Sequence, residues 1–101
     1  EGLGTHEGVY LGLLGPSFET PAEVQLFSSW GLHAVGMSTV WEAIALSHSG
    51  ARLVGLSLLS NLGSGLGGGT LDHETILETC RSSAAKIVNS IRLSIEEELG
   101  G

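Results

Sequence analysis

The sequence has little positive charge and little cysteine. Its 101 residues include 4 Lys and Arg against 11 Asp and Glu, which gives a formal net charge of −7, and no Lys or Arg precedes Arg52. Proteins that bind nucleic acid or anionic membranes present clustered basic residues, so this balance argues against both kinds of partner. The single cysteine, Cys80, excludes an internal disulfide and a multi-cysteine metal site. We therefore expect a reducing, cytoplasmic setting.

An unbroken hydrophobic run is also missing. Residues 53–71 carry no charge and are long enough to cross a bilayer, but six glycines, three serines and one asparagine interrupt them. We therefore predict no membrane span, and the first residues, Glu-Gly-Leu-Gly, do not resemble a secretory signal peptide. Charged residues make up 15% of the chain, against about 25% in soluble domains. This deficit indicates that other protein surface covers part of the chain.

Apolar segments alternate with helical segments along the chain. Apolar runs without polar alternation predict strands buried on both faces, and capped or periodic segments predict helices. The predicted strands are Val9–Leu14, Ala34–Met37 and Leu53–Leu59, and the predicted helices run from Pro21 to Trp30, from Val40 to Ser49 and from Asp72 or His73 onward. The last helix repeats apolar residues with a period near 3.6, so we expect it to lay one face on a sheet or helix. The order βαβαβα is typical of an α/β fold with a parallel sheet.

The starts of the first two helices carry a capping pattern. Thr20 is followed by a proline and, three residues later, by Glu23, the spacing of a capping box with proline in the first turn. Thr39 and Glu42 repeat the spacing without the proline. We therefore predict a capping box at both helix starts.

A glycine-rich segment after the third predicted strand matches the pattern G-x-G-x-x-G, from Gly63 to Gly68. A dinucleotide site needs a helix to begin directly at such a loop and an acidic residue about 20 residues later, and the sequence meets neither condition. We interpret the segment as a loop and predict no cofactor. The sequence contains no known hydrolase motif. Its histidines lie far apart in sequence, so we also predict no metal site.

Polar side chains follow each predicted strand. In a parallel sheet, ligands bind beyond the carboxyl ends of the strands. Those ends carry Gly15-Pro16-Ser17-Phe18-Glu19, then Gly36-Met37-Ser38, then Ser60-Asn61. Their carboxylate, carboxamide, ring and hydroxyl groups suit a flat heterocycle with polar edges, and Ser38 would lie at a helix N-terminus, where anions are favoured. Taken singly, Phe18 and Met37 could equally be core residues, Glu19 a surface residue, and Ser38 an addition to the helix cap.

Four strings in this order resemble the trimeric purine nucleoside phosphorylase family. They are Glu7-Gly8-Val9-Tyr10, Gly15-Pro16-Ser17-Phe18-Glu19-Thr20-Pro21-Ala22-Glu23, Ala34-Val35-Gly36-Met37-Ser38-Thr39-Val40 and Ser57-Leu58-Leu59-Ser60-Asn61. The two longest are the most specific, and such strings belong to the C-terminal third of that family. The resemblance implies that residues 1–101 are the C-terminal part of a single phosphorylase domain, built on a mixed, largely parallel sheet flanked by helices.

The resemblance also implies a reaction and the residues that carry it. Phosphate, as co-substrate, would attack the anomeric carbon of a purine nucleoside and release the base and ribose 1-phosphate, with no cofactor and no metal. Asn61 and Glu19 would be the catalytic pair, with Asn61 hydrogen-bonded to N7 and O6 of the purine and Glu19 accepting from N1–H. Further binding residues would be Phe18 and Val35 on the purine, Met37 at the purine and ribose, His73 at the ribose 5′-hydroxyl and Ser38 at phosphate.

Asn61 bears on the choice of purine. Methylthioadenosine phosphorylases, which act on 6-amino purines, carry Asp at the matching position, so the resemblance favours inosine and guanosine as substrates. A methylthioadenosine phosphorylase relative and a non-catalytic nucleobase-binding module remain open as alternatives; hydrolysis by a nucleosidase fits less well because Ser38 makes sense mainly with an anion. The family implies a homotrimer, and we expect the 101-residue chain alone to be inactive and poorly soluble or molten.

Overall fold

The computed structural model describes residues 4–67 and 73–100. The elements in chain order are β1 (Tyr10–Gly12), α1 (Pro21–Ser29), β2 (Ala34–Gly36), α2 (Val40–His48) and α3 (His73–Gly100). The α/β character is as predicted, and the observed helices begin where the sequence indicates. Asp72, the alternative start of the last helix, lies outside the described residues.

The two strands form a parallel pair. Tyr10 is opposite Ala34, and Gly12 is opposite Gly36. Ladder-like hydrogen bonds extend the pairing at both ends, because the Ala34 amide donates to the Val9 carbonyl at 3.2 Å and the Leu13 amide donates to the Gly36 carbonyl at 2.8 Å. Parallel pairing requires a crossover between the strands, and α1 provides it. Both strands therefore end at the same edge of the sheet.

The capping box at the start of α1 is confirmed. The amide of Glu23 donates to Thr20 Oγ1 at 3.3 Å, and the amide of Thr20 donates to Glu23 Oε1 at 3.1 Å. Pro21 occupies the first turn, where its missing N–H costs nothing. Local sequence therefore fixes where this helix begins.

The predicted capping box at the start of α2 is wrong. Thr39 has φ 77° and ψ −43°, and its side chain makes no capping hydrogen bond to the helix. A capping residue needs an extended backbone to direct its side-chain oxygen at the first free amides, and this positive φ prevents that. The amide of Val40 instead donates to the Ser38 carbonyl at 2.8 Å.

The third predicted strand, Leu53–Leu59, is not formed. The structure assigns no regular element to these residues, and Val54 is 91% exposed. A strand exists only through hydrogen bonds to a neighbour, and in the described part of the chain β1 and β2 pair only with each other. The expectation of strands buried on both faces also fails, since β1 and β2 are half-buried.

The chain divides into two compact units, which are described separately. One unit runs from Glu7 to Gly69, and the other combines Glu1–His6 with Thr70–Gly101. The second unit contains α3, in which Arg92 Nη1 lies 2.8 Å from Glu96 Oε1, one turn further along the helix. Within residues 4–67 and 73–100, no helix combines the length and the hydropathy needed to cross a bilayer.

Candidate functional site

The loop after β1 lies against the end of β2. Gly15 has φ 67°, and a Cβ atom at this position would collide with the Met37 sulfur. Glycine is thus required at position 15 for two reasons, the positive φ of its backbone and the close approach of Met37. The contact holds the start of the segment leading to Phe18 and Glu19 beside the residue that follows β2.

Ser38 and Thr39 form a tight turn between β2 and α2. The hydrogen bond from the Val40 amide to the Ser38 carbonyl, with positive φ at Thr39 between them, defines a γ-turn of the rare, strained kind. Ser38 Oγ lies 3.2 Å from Thr39 Oγ1, and both side chains are exposed. The Ser38 hydroxyl is therefore accessible at the N-terminus of α2, where the helix dipole favours an anion.

A groove of about 300 Å³ opens beside this turn. It is lined by residues 12–14 at the end of β1, by Met37 and Ser38, and by residues 40, 41 and 44 of α2. Apart from Ser38 the side chains lining it are apolar. The groove thus offers an apolar surface next to a hydroxyl, which suits a ligand with one polar end.

Asn61 is brought toward the start of α1 by the loop that follows it. Positions for a Cβ at Gly63 and at Gly65 fall 3.0 Å from Val24 Cγ1 and 2.9 Å from Pro21 Cβ, so this loop packs directly on the first turns of α1. Glu19 immediately precedes the Thr20 cap of the same helix. The structure thus brings the segments that carry Glu19 and Asn61 to one end of α1.

The Asn61 side chain is held by its neighbours in sequence. Ser60 Oγ donates to Asn61 Oδ1 at 2.8 Å, and Asn61 Nδ2 donates to the Leu62 carbonyl at 3.0 Å. Both the acceptor and the donor end of the carboxamide are therefore engaged, while the residue itself is exposed. Because Asn61 Nδ2 has a second hydrogen and Oδ1 a second lone pair, the group can still bind a base edge.

The other predicted purine-binding residues differ in exposure. Phe18 is 57% exposed and Met37 is 41% exposed, whereas Glu19 and Val35 are half-buried. Val35 is the central residue of β2, paired with Leu11. Met37 lines the groove, where its exposed side chain is available for contact with a ligand, whereas Phe18 is not one of the residues that line it. The binding roles of these residues stay predictions.

His73 is the first residue of α3 and belongs to the other compact unit. Its role at the ribose stays a prediction. In residues 4–67 and 73–100, no group of three or more His, Cys, Asp or Glu side chains is arranged to hold a metal ion.

Sequence reasoning missed one residue of this region, Tyr10. The amide of Ser38 donates to Tyr10 Oη at 3.5 Å, although 28 positions separate the two residues. No local sequence signal points to Tyr10, because the contact depends on the register that places Tyr10 opposite Ala34 and lets its long side chain reach along β2.

Comparison with known proteins places these features in a family. The family model described as the phosphorylase superfamily matches residues 1–96. This chain belongs to the phosphorylase superfamily. The four sequence strings that resemble purine nucleoside phosphorylases lie at the start of β1, in the loop from β1 into α1, in β2 with the turn that follows it, and in the segment that ends at Asn61.

Relatives of this chain include purine nucleoside phosphorylases. The chain is 46% identical over 81 residues to the purine nucleoside phosphorylase of Mycobacterium bovis, an alignment that covers 80% of the chain and 30% of the relative. It is 38% identical over 91 residues to purine nucleoside phosphorylase 1 of Geobacillus stearothermophilus, covering 90% and 33%. For the Bos taurus purine nucleoside phosphorylase the identity is 42% over 89 residues, covering 86% and 31%. The chain thus spans about a third of the length of these relatives.

Proposed function

We propose that the whole protein to which this chain belongs catalyses phosphorolysis of 6-oxopurine nucleosides, inosine and guanosine, and so recovers free purine bases in salvage. The observation that carries the proposal is the meeting of phosphorylase-type segments in one unit: Gly15 against Met37, and the loop after Asn61 against the start of α1. Purine nucleoside phosphorylase is also the name of the relatives to which the chain is similar. The substrates, the cytoplasmic setting and a homotrimeric assembly are part of this proposal.

In the proposed reaction an oxygen of inorganic phosphate forms a bond to the anomeric carbon while the bond from that carbon to the purine N9 breaks. The electron pair stays on the purine, which takes up a proton and leaves as the free base, and the sugar leaves as ribose 1-phosphate with inverted configuration. Negative charge therefore develops on the base in the transition state. A fixed hydrogen-bond donor lowers the barrier when it meets such developing charge, and Asn61 is the side chain proposed to do so at N7 and O6.

The remaining residues bind and orient the substrates. Glu19 accepts the purine N1–H, while Phe18 and Val35 pack on the base and Met37 lies under the base and ribose. Ser38 donates its hydroxyl to phosphate at the N-terminus of α2, where the anion also meets the positive end of the helix dipole. His73 contacts the ribose 5′-hydroxyl.

The first test is whether cleavage of inosine by the whole protein depends on phosphate. We expect hypoxanthine release from inosine only when phosphate is present, with ribose 1-phosphate formed in equal amount. Chromatographic measurement of both products checks this. Equal release with and without phosphate would mean hydrolysis, and tight binding of hypoxanthine without any turnover would support a nucleobase-binding module instead.

The second test is the purine preference at Asn61. Asn61→Asp places an acceptor where a 6-oxopurine presents an acceptor and a 6-aminopurine presents a donor, so we expect kcat/KM to fall for inosine and to rise for adenosine. A mismatched hydrogen bond at a buried base edge changes kcat/KM by roughly 10-fold or more in each direction. Asn89→Asp, on α3, is the matched control and should leave the ratio unchanged. No gain on adenosine relative to inosine would count against the assignment of Asn61.

A further inference from the structure

The Tyr10 side chain reaches from one strand to the turn after the other. Tyr10 pairs with Ala34 in the parallel register, and its half-buried ring runs along β2 across Gly36. A Cβ at Gly36 would collide with the Tyr10 hydroxyl, so this path is open only because residue 36 is glycine. The hydroxyl then accepts a hydrogen bond from the Ser38 amide at 3.5 Å.

The turn that Tyr10 reaches is held in an unfavourable conformation. Thr39 is the central residue of a γ-turn with φ 77°, a region that is unfavourable for any residue other than glycine. Such a conformation persists only where the surroundings hold it in place. Two hydrogen bonds are made within the turn, from the Val40 amide to the Ser38 carbonyl and between the Ser38 and Thr39 hydroxyls. The third, to Tyr10, comes from a different element.

We propose that Tyr10 is a positioning residue for phosphate binding: its hydroxyl ties the strained Ser38–Thr39 turn to β1 and thereby aims the Ser38 hydroxyl. This inference rests on the proposed function. Tyr10 need not touch a substrate, because it acts through Ser38. The groove lies on the same turn, since Met37 and Ser38 both line it, so a shift of the turn also alters the surface beside the anion.

The experiment is Tyr10→Phe in the whole protein, which keeps the ring over Gly36 and removes only the hydroxyl. Loss of one neutral hydrogen bond corresponds to a change of roughly 2- to 10-fold in a binding constant. We therefore expect KM for phosphate to rise by roughly that factor, while KM for inosine and the melting temperature stay close to those of the unmodified protein. An unchanged or lower KM for phosphate would overturn the inference, since a hydroxyl that merely competes with phosphate for the Ser38 amide would lower it.

A double-mutant cycle separates positioning from a general structural effect. Ser38→Ala should itself raise KM for phosphate, and because Tyr10 acts through Ser38, adding Tyr10→Phe should then change it little. Ser49→Ala, at the other end of α2, is the matched control and should leave the effect of Tyr10→Phe intact. If Tyr10→Phe raised KM for phosphate and KM for inosine equally and also lowered the melting temperature, Tyr10 would have a general structural role and the inference would be overturned. Phosphate-independent release of hypoxanthine by the unmodified protein would overturn the proposed function as well. Normal phosphorolysis, with the effects of Ser38→Ala and Tyr10→Phe on KM for phosphate simply adding up, would overturn the role of Tyr10 alone.

Discussion

At the scale of single residues, Thr20 and Glu23 hold the start of α1 by mutual hydrogen bonds. Besides the two backbone contacts, Thr20 Oγ1 donates to Glu23 Oε1 at 2.8 Å. The side-chain hydrogen bond from Thr20, and then the backbone one, lower the pKa of the Glu23 carboxyl below its ordinary value of 4.5. Both bonds favour the ionised carboxylate, which also meets the positive end of the helix dipole.

This pKa shift predicts a pH-dependent contribution to stability. A carboxyl whose pKa is lower in the folded than in the unfolded state stabilises the fold above the unfolded value, and this contribution is lost as pH falls through the folded value. In the whole protein, Glu23→Gln should therefore lower the melting temperature near neutral pH. The difference from the unmodified protein should shrink below about pH 4.5, the ordinary pKa of the carboxyl.

Melting curves of both proteins between pH 7 and about pH 3 measure this difference. Glu42→Gln is the matched control, because Glu42 holds the equivalent third position of α2, where Thr39 makes no capping hydrogen bond. A loss at Glu23→Gln that stays constant with pH would contradict the assigned role of the carboxylate.

At the scale of elements, helix starts and a parallel sheet could be predicted from the sequence, but the third strand and the second cap could not. Thr20, Pro21 and Glu23 specify the start of α1 by contacts within four residues, so local sequence suffices. Residues 53–59 have strand-like composition, yet forming a strand depends on a partner elsewhere in the chain. The turn at Thr39 is likewise set by packing, since neither its φ of 77° nor the contact with Tyr10 follows from local propensity.

The same contrast divides the candidate site. The strand-end rule predicts that residues after β1 and after β2 meet, because a parallel pair ends at one edge, and Met37 does lie against Gly15 of the loop after β1. Asn61 was predicted to follow a third strand, but in the described residues no such strand forms, and the loop after Asn61 packs on α1 instead. Tyr10 was missed because its contribution depends on the register, which sequence alone does not specify.

The packing of α2 on β1 predicts that Gly12→Ala destabilises the protein. A Cβ at Gly12 would overlap the Val40 side chain, which is stiff because it is branched at Cβ. Overpacking of this kind typically costs about 1–3 kcal/mol, so Gly12→Ala should lower the free energy of unfolding of the whole protein by about that amount. Gly55→Ala is the matched control, because a Cβ there meets nothing within 4 Å.

Denaturant unfolding of both variants measures these free energies. We expect Gly12→Ala also to raise KM for phosphate, because Val40 follows directly on the Ser38–Thr39 turn. Equal stability of the Gly12→Ala and Gly55→Ala variants would contradict the close packing of β1 on α2.

At the scale of the whole molecule, the described residues bury very little apolar surface. In residues 4–67 and 73–100, Val24 is the one buried hydrophobic residue, and it is 7% exposed. Large apolar side chains remain open, among them Trp30 and Trp41, both 65% exposed, and Leu14 at 83%. Folding requires burial of apolar surface to offset the conformational entropy that is lost when each residue becomes ordered.

This imbalance predicts the behaviour of the 101-residue chain studied by itself. We expect it to bind the dye ANS, to show helical far-ultraviolet circular dichroism with weak near-ultraviolet signals from Trp30 and Trp41, and to melt without a cooperative transition. The whole protein, in which more surface is available to cover these side chains, should melt cooperatively and bind little dye. Calorimetry and sedimentation of both samples make the comparison, and a sharp cooperative transition from a monomer of the 101-residue chain would refute the prediction. Association of that chain into oligomers that bind no dye would instead show that copies of the chain cover the exposed side chains for one another, because the same apolar surface would then be buried between molecules.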